Sequence, residues 1–347
     1  MRENATADKN APAAGSIRRV GAWLGGNTVR ALISLVLLGL VVAAIDVPST
    51  LHLLKTTNYV YFAIALLFLT ANKVAMASRW NVLTQVKGMT LSIPESLKIS
   101  LIANFVGSFL PSGLGSDVYR IYHTCRREKR AEHVAASVIM ERFIGMLTRS
   151  AVAVLGVVLI LNSQYQQSFG PSLYLVIIGF AALSVLAFWI SIHDGTIRLL
   201  MRLLDWWGDN RILRHGLKFQ QAYVDYKRSV GSLLLVFVLS LFGVFLVSVA
   251  NYYIARAVDI QLSLLFYFGL VSIINIVNRI PVSIGGLGVT EGSYVLLFAT
   301  VGVGTTEAFT MALLVRLTEC VFALAGWVLY LTAEDFERGL APQVRAN

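Results

Sequence analysis

Nine charged side chains fall within stretches of sequence that are otherwise apolar: Asp117, Arg120, Glu141, Arg142, Arg149, Arg279, Glu291, Arg316 and Glu319. Near a bilayer centre each costs at least about 2.5–3.5 kcal/mol unless it is paired or hydrated. Nine are too many to scatter toward lipid, so they face one another or a shared polar space. Five of them are arginines, against four acids. Arginine keeps its charge and forks onto phosphate oxygens through parallel hydrogen bonds. A cavity lined by these nine residues suits an anionic headgroup better than a cation, and an acid such as Asp117 or Glu319 is able to carry a proton. Structural pairing competes with this reading. Arg316 and Glu319 stand at i, i+3 on a helix, and Glu141 with Arg142 placed near an interface would snorkel outward.

Two glycine-rich interruptions accompany the charges. "FLPSGLGSDVYR" at 109–120 and "RIPVSIGGLGVTEG" at 279–292 both break apolar stretches and then place charge at the break. Each has an asparagine (Asn104, Asn275) shortly before a proline (Pro111, Pro281). Glycines follow: Gly113 and Gly115 in the first, Gly285, Gly286 and Gly288 in the second. Proline removes a backbone donor, and glycine lets the chain turn through conformations closed to other residues. Unpaired backbone cannot face lipid, so a break at membrane depth must be buried in protein or line a wet cavity. The expectation is two re-entrant hairpins whose tips meet near the midplane. Helices starting after the breaks would aim their positive ends at that cavity, an arrangement suited to phosphate.

The elements that must hold these residues follow from hydropathy. Of 347 residues 56% are hydrophobic and only 14% charged, where a soluble domain carries about a quarter. The chain is therefore an all-α integral membrane protein. Six runs are long enough to cross a hydrocarbon core of about 30 Å: 28–45, 58–78, 134–161, 171–192, 230–255 and 307–331. Regions 94–124 and 262–303 contain the interruptions. The net charge of +10 is what basic cytoplasmic loops give in a membrane protein, and no nucleic-acid partner is expected.

Loop charge sets the orientation. The basic tail 1–27 lies inside, 46–57 outside, and 79–93, with Arg79 and Lys87, inside again. "CRREKR" at 125–130 makes both flanks of the first interrupted region positive, so that region enters from the cytoplasm and returns to it. The loop 193–229, with Trp206 and Trp207, is cytoplasmic and amphipathic, and the tail 333–347 is cytoplasmic. On the same count the second interrupted region starts and ends outside. Similar segments inserted in opposite senses mark an inverted repeat. Two unrelated hairpins sharing Gly and Pro would look alike, and halves that each span fully give the same parity.

Enzymatic alternatives find little support. The five histidines form no HExxH, and there is neither GxSxG nor a Walker-type phosphate loop. Cys125 and Cys320 have no metal-ligand spacing. No metal, cofactor or direct ATP drive is expected, and an ion gradient or the lipid's own gradient is the expected source of energy.

"NFVGSFLPSGLGSDVYRIY", "VIMERFIGML" at 138–147 and "RIPVSIGGLGVTEGSYVLL" at 279–297 together resemble the lysylphosphatidylglycerol synthase/flippase-like transmembrane family, the membrane half of multiple peptide resistance factor-type proteins. The likeness runs from about 28 to 332. It implies a lipid flippase-like domain, 28–332, in a bacterial inner or plasma membrane, with re-entrant helices around a central cavity. The transferase domain of the bifunctional members has no counterpart before Asn347, so aminoacyl transfer is not expected. The expected partner is a membrane lipid, anionic or of polyprenyl type. An integral membrane lipid-modifying enzyme, or an accessory subunit of an envelope-lipid synthesis system, are the alternatives. A homo-oligomer or a partner lipid-synthesis enzyme is also compatible with the sequence.

Overall fold

Helices are the only regular structure among the described residues. The computed structural model describes residues 46–108, 114–128, 130–165, 170–193, 218–278 and 283–344, with Leu35, Val36 and Gly39. In chain order the elements are α1 (Val47–Thr56), α2 (Tyr59–Val86), α3 (Ile93–Ser108), α4 (Leu114–Glu128), α5 (Ala131–Leu161), α6 (Pro171–Ile192), α7 (Val230–Ala257), α8 (Leu264–Val277), α9 (Val289–Ala299) and α10 (Thr305–Val344). Five are long and apolar enough to cross a membrane: α2, α5, α7, and the stretches Tyr174–Ser191 of α6 and Thr305–Thr332 of α10.

Both interrupted regions are broken helices. At about 1.5 Å per residue, α3, α4, α8 and α9 reach only roughly 24, 22, 21 and 16 Å, short of a core of about 30 Å. Local signals set their starts. Ser92 and Glu95 form a reciprocal cap at α3, with the Ser92 N–H donating to Glu95 Oε2 at 2.9 Å and the Glu95 N–H to Ser92 Oγ at 3.4 Å. This satisfies two amides that the first helical turn leaves without partners. At the second break Gly285, Gly286 and Gly288 all have positive φ, at 57°, 71° and 77°, a conformation costly for any residue with a Cβ.

The set α2–α3–α4–α5 and the set α7–α8–α9–α10 follow the same order: long helix, two short helices, long helix. Their leading helices run antiparallel. The Asn58 N–H at the start of α2 donates to the Ala257 carbonyl at the end of α7, at 3.0 Å. At the other end Tyr226 Oη, just before α7, donates to the Leu83 carbonyl at 2.8 Å. The two sets also exchange contacts. α3 packs on α10, where a Cβ on Gly326 would come within 2.2 Å of the Leu101 carbonyl oxygen. α8 packs on α5, where a Cβ on Gly156 would stand 2.2 Å from Gly269 Cα. Such close helix crossings hold membrane bundles together by van der Waals packing. The largest buried apolar cluster, including Val157, Ile254, Tyr267, Leu270 and Phe298, surrounds the second crossing.

Several sequence boundaries shift. The stretch 46–57, expected as a loop, is largely helix α1, capped by Asp46 through the Ser49 N–H at 3.3 Å. The second span does not end at 78 but continues to Val86. Arg79, read as a loop charge, is consequently a buried helical residue. Its guanidinium is compensated inside the bundle, so the helix has no reason to stop there. The C-terminal segment continues α10 through Val344. Run 28–45, apart from Leu35, Val36 and Gly39, lies outside the described residues, as does most of 193–229, including Trp206 and Trp207.

Candidate functional site

Between the two broken helices lies a cavity of about 430 Å³, within the range of roughly 300–1,000 Å³ common for ligand pockets. It brings together much of the set expected from sequence. Asp117, Arg120, Glu141, Arg142, Arg149 and Glu319 line it, with Asn104, Asn275, Gly285 and Gly286 of the breaks. The breaks themselves adjoin. A Cβ on Gly285 would lie 3.8 Å from the Ser108 carbonyl oxygen at the end of α3. Across the first break the chain doubles back tightly, since a Cβ on Gly107 would meet the Ser116 nitrogen at 2.9 Å. Arg279, Pro111, Gly113 and Pro281 lie outside the described residues, while Gly115 falls in the first turn of α4.

Glu141 on α5 is the centre of one charge network. Arg120 Nη2 donates to its Oε2 at 2.5 Å and Arg79 Nη2 to its Oε1 at 3.3 Å. Arg79 Nη1 also donates to Ser240 Oγ on α7 at 3.0 Å. The Arg120 guanidinium lies 4.2 Å from the ring centroid of Trp80, whose indole N–H donates to Ser137 Oγ at 3.1 Å. All three charged residues are buried. A carboxylate between two guanidiniums keeps its charge at depth because each charge is compensated by hydrogen-bonded contact. Arg149 donates to the Gly145 carbonyl at 3.0 Å. Gly145 makes the room, since a Cβ there would fall 3.1 Å from Arg149 Nη1 and 3.9 Å from Arg79 Nη1.

Two matching pairs fix the helices that restart after the breaks. Asp117, in the first turn of α4, pairs with Arg142 on α5 and lies 3.7 Å from Arg120. Glu291, in the first turn of α9, pairs with Arg316 on α10, which donates through Nε at 3.0 Å and Nη2 at 2.8 Å. Both pairs join an acid to an arginine 25 residues further along the chain. Glu291 Oε2 also accepts from the Gly288 N–H at 2.8 Å. Arg316 donates to the carbonyls of Gly285 at 2.7 Å and Gly286 at 3.2 Å and to Glu319 at 3.1 Å. Neither Arg316 nor Glu291 is part of the cavity wall. Together they hold the second break from behind.

This arrangement alters one expectation. The positive ends of α4 and α9 were expected to face a bound anion, yet each carries a protein carboxylate in its first turn. Positive potential in the cavity comes from side chains instead. Two of these escaped sequence reasoning: Arg79 and Lys73, both on α2 and both in the wall. Lys73 interrupts the apolar run 58–78 and falls at the middle of α2, and that charge within a span was the signal available.

Long apolar helices around a strongly charged cavity define a multi-span membrane protein with a polar centre. Residues 27–326 match the family described as the lysylphosphatidylglycerol synthase TM region, and the chain belongs to that family. Membership connects it with membrane lipid. No curated protein matches the chain.

Proposed function

We propose that this protein is a lipid flippase that moves an anionic or polyprenyl-type lipid between leaflets, with the headgroup in the charged cavity and the chains in the bilayer. The observation that carries this reading is the position of the cavity: both helix breaks border it, and their ends adjoin at Gly285 and Ser108. On this reading α3–α4 and α8–α9 are re-entrant hairpins reaching the midplane from opposite faces, and the chain is an inverted repeat. Three features support the repeat: the antiparallel α2 and α7, the reciprocal packing of α3 on α10 and α8 on α5, and the equally spaced acid–arginine pairs. The protein then sits in the plasma membrane with both termini cytoplasmic, and the hairpins open alternately to the two leaflets.

Reconstitution into vesicles containing fluorescent phosphatidylglycerol tests the proposal. Leaflet exchange should exceed that of protein-free vesicles, and Arg120→Ala should reduce it to that background. Exchange no faster than in empty vesicles, across several anionic lipids and with or without an ion gradient, overturns the reading. Conversion of the lipid to a new product by the purified protein would favour a lipid-modifying enzyme instead.

A further inference from the structure

The charges of the cavity do not cancel. In its wall and the layer behind it, six basic side chains (Lys73, Arg79, Arg120, Arg142, Arg149 and Arg316) stand against four carboxylates (Asp117, Glu141, Glu291 and Glu319), an excess of two positive charges among the described residues. The carboxylates are committed. Asp117 meets Arg142 and Arg120, Glu141 meets Arg79 and Arg120, and Glu291 and Glu319 both meet Arg316.

Lys73 differs from Arg79, Arg120, Arg142 and Arg316, each of which meets a carboxylate. It reaches the cavity from a long apolar helix, with its ammonium 5.0 Å from the ring centroid of Phe322. Glu319 lies within its electrostatic reach but is hydrogen-bonded to Arg316. Lys73 has no carboxylate at ion-pair distance among the described residues. An ammonium at this depth without a carboxylate in contact is costly, and a ligand carrying negative charge reduces that cost.

The size of the excess bears on the kind of anion. A phosphodiester headgroup carries one negative charge and leaves half of the excess uncompensated. A phosphomonoester carries about −1.5 to −2 near pH 7, because its second pKa is about 6. We propose that the cavity selects a lipid ending in a phosphomonoester, and that Lys73 is the residue that separates this dianion from a phosphodiester. The proposal rests on the flippase reading for its lipid source. The shared chemistry with free phosphate is a doubly charged phosphoryl group.

The test is binding of fluorescent phosphatidic acid and phosphatidylglycerol to the full chain in phosphatidylcholine nanodiscs. Phosphatidic acid should bind roughly tenfold tighter at about pH 7.5, the scale of one additional close charge contact at a partly solvated site. The preference should vanish by about pH 5.5, where the phosphomonoester has taken up a proton. Lys73→Gln should remove the preference at the higher pH, and Lys73→Arg, which keeps the charge, should retain it. Equal affinity for the two lipids in the unaltered protein, or an undiminished preference in Lys73→Gln, overturns the proposal. Displacement of the labelled lipid by inorganic phosphate at comparable concentration overturns the lipid source. Rapid exchange of both lipids with no binding preference sinks the selectivity and leaves translocation standing. A firm preference with no exchange in vesicles supports the selectivity and sinks translocation.

Discussion

Arg316 holds Glu291 through two hydrogen bonds, at 3.0 and 2.8 Å, while also donating to the carbonyls of Gly285 and Gly286. One side chain thus neutralises the acid that caps α9 and satisfies two carbonyls exposed by the break. Backbone carbonyls at membrane depth need such partners. Arg142 and Asp117 form the corresponding pair at the start of α4.

Breaking the Arg316–Glu291 pair should therefore loosen the second break as a whole. Glu291→Gln leaves the partly buried Arg316 guanidinium with Glu319 as its remaining carboxylate, so the loss should fall below the ~3–5 kcal/mol typical when a buried charge is left uncompensated. Arg316→Lys keeps the charge but cannot serve a carboxylate and two carbonyls with the same fixed fork. Both variants should lower the thermal unfolding midpoint in detergent. An Arg316→Lys protein as stable as the parent would show that the fork geometry is unimportant.

The second prediction concerns Glu141, enclosed by Arg79 and Arg120. Glu141→Gln leaves two buried guanidiniums facing each other with Asp117, 3.7 Å from Arg120, in place of a shared counter-charge, and should lower both stability and lipid exchange. Adding Arg79→Gln removes one of those stranded charges, so the double variant should be more stable than the sum of the two single losses. Groups in one network couple by about 0.5–3 kcal/mol. Strict additivity in a thermal double-mutant cycle would mean that the two do not interact.

Helix packing offers a control within the same molecule. Gly156→Ala places a Cβ 2.2 Å from Gly269 Cα, so α5 and α8 must separate. Overpacking of this kind costs about 1–3 kcal/mol. Gly179→Ala on α6 meets nothing within 4 Å and should be neutral or mildly stabilising, because alanine favours helix by up to about 1 kcal/mol. Equal unfolding midpoints for the two variants would remove Gly156 as a packing contact.

Orientation can be read by chemical labelling. With Cys125 and Cys320 replaced by alanine, single cysteines at Ser92 and Arg126 flank the first broken region, and those at Ser263 and Thr305 flank the second. All four positions are exposed. An impermeant maleimide should label the first two from one face of the membrane and the last two from the other. Labelling of Ser92→Cys and Arg126→Cys from opposite faces would show that α3–α4 crosses fully.

Composition and periodicity alone determined that this chain is a helical membrane protein, where most spans fall, and that both "FLPSGLGSDVYR" and "RIPVSIGGLGVTEG" interrupt helices. These properties are local: transfer of apolar residues out of water and the backbone preferences of glycine and proline act within a few turns. The same locality made Arg79 look like a loop charge, because its acceptors, Glu141 and Ser240, come from distant helices. Tertiary structure alone decided which charges line the cavity and which brace its frame. It set Arg316 and Glu291 behind the wall, placed Lys73 in it without a carboxylate at contact distance, and closed both helix N-termini with protein acids. Coulomb energy depends on distance and desolvation in three dimensions, so the charges named from sequence, Arg279 aside, acquired separate roles only when the helices packed.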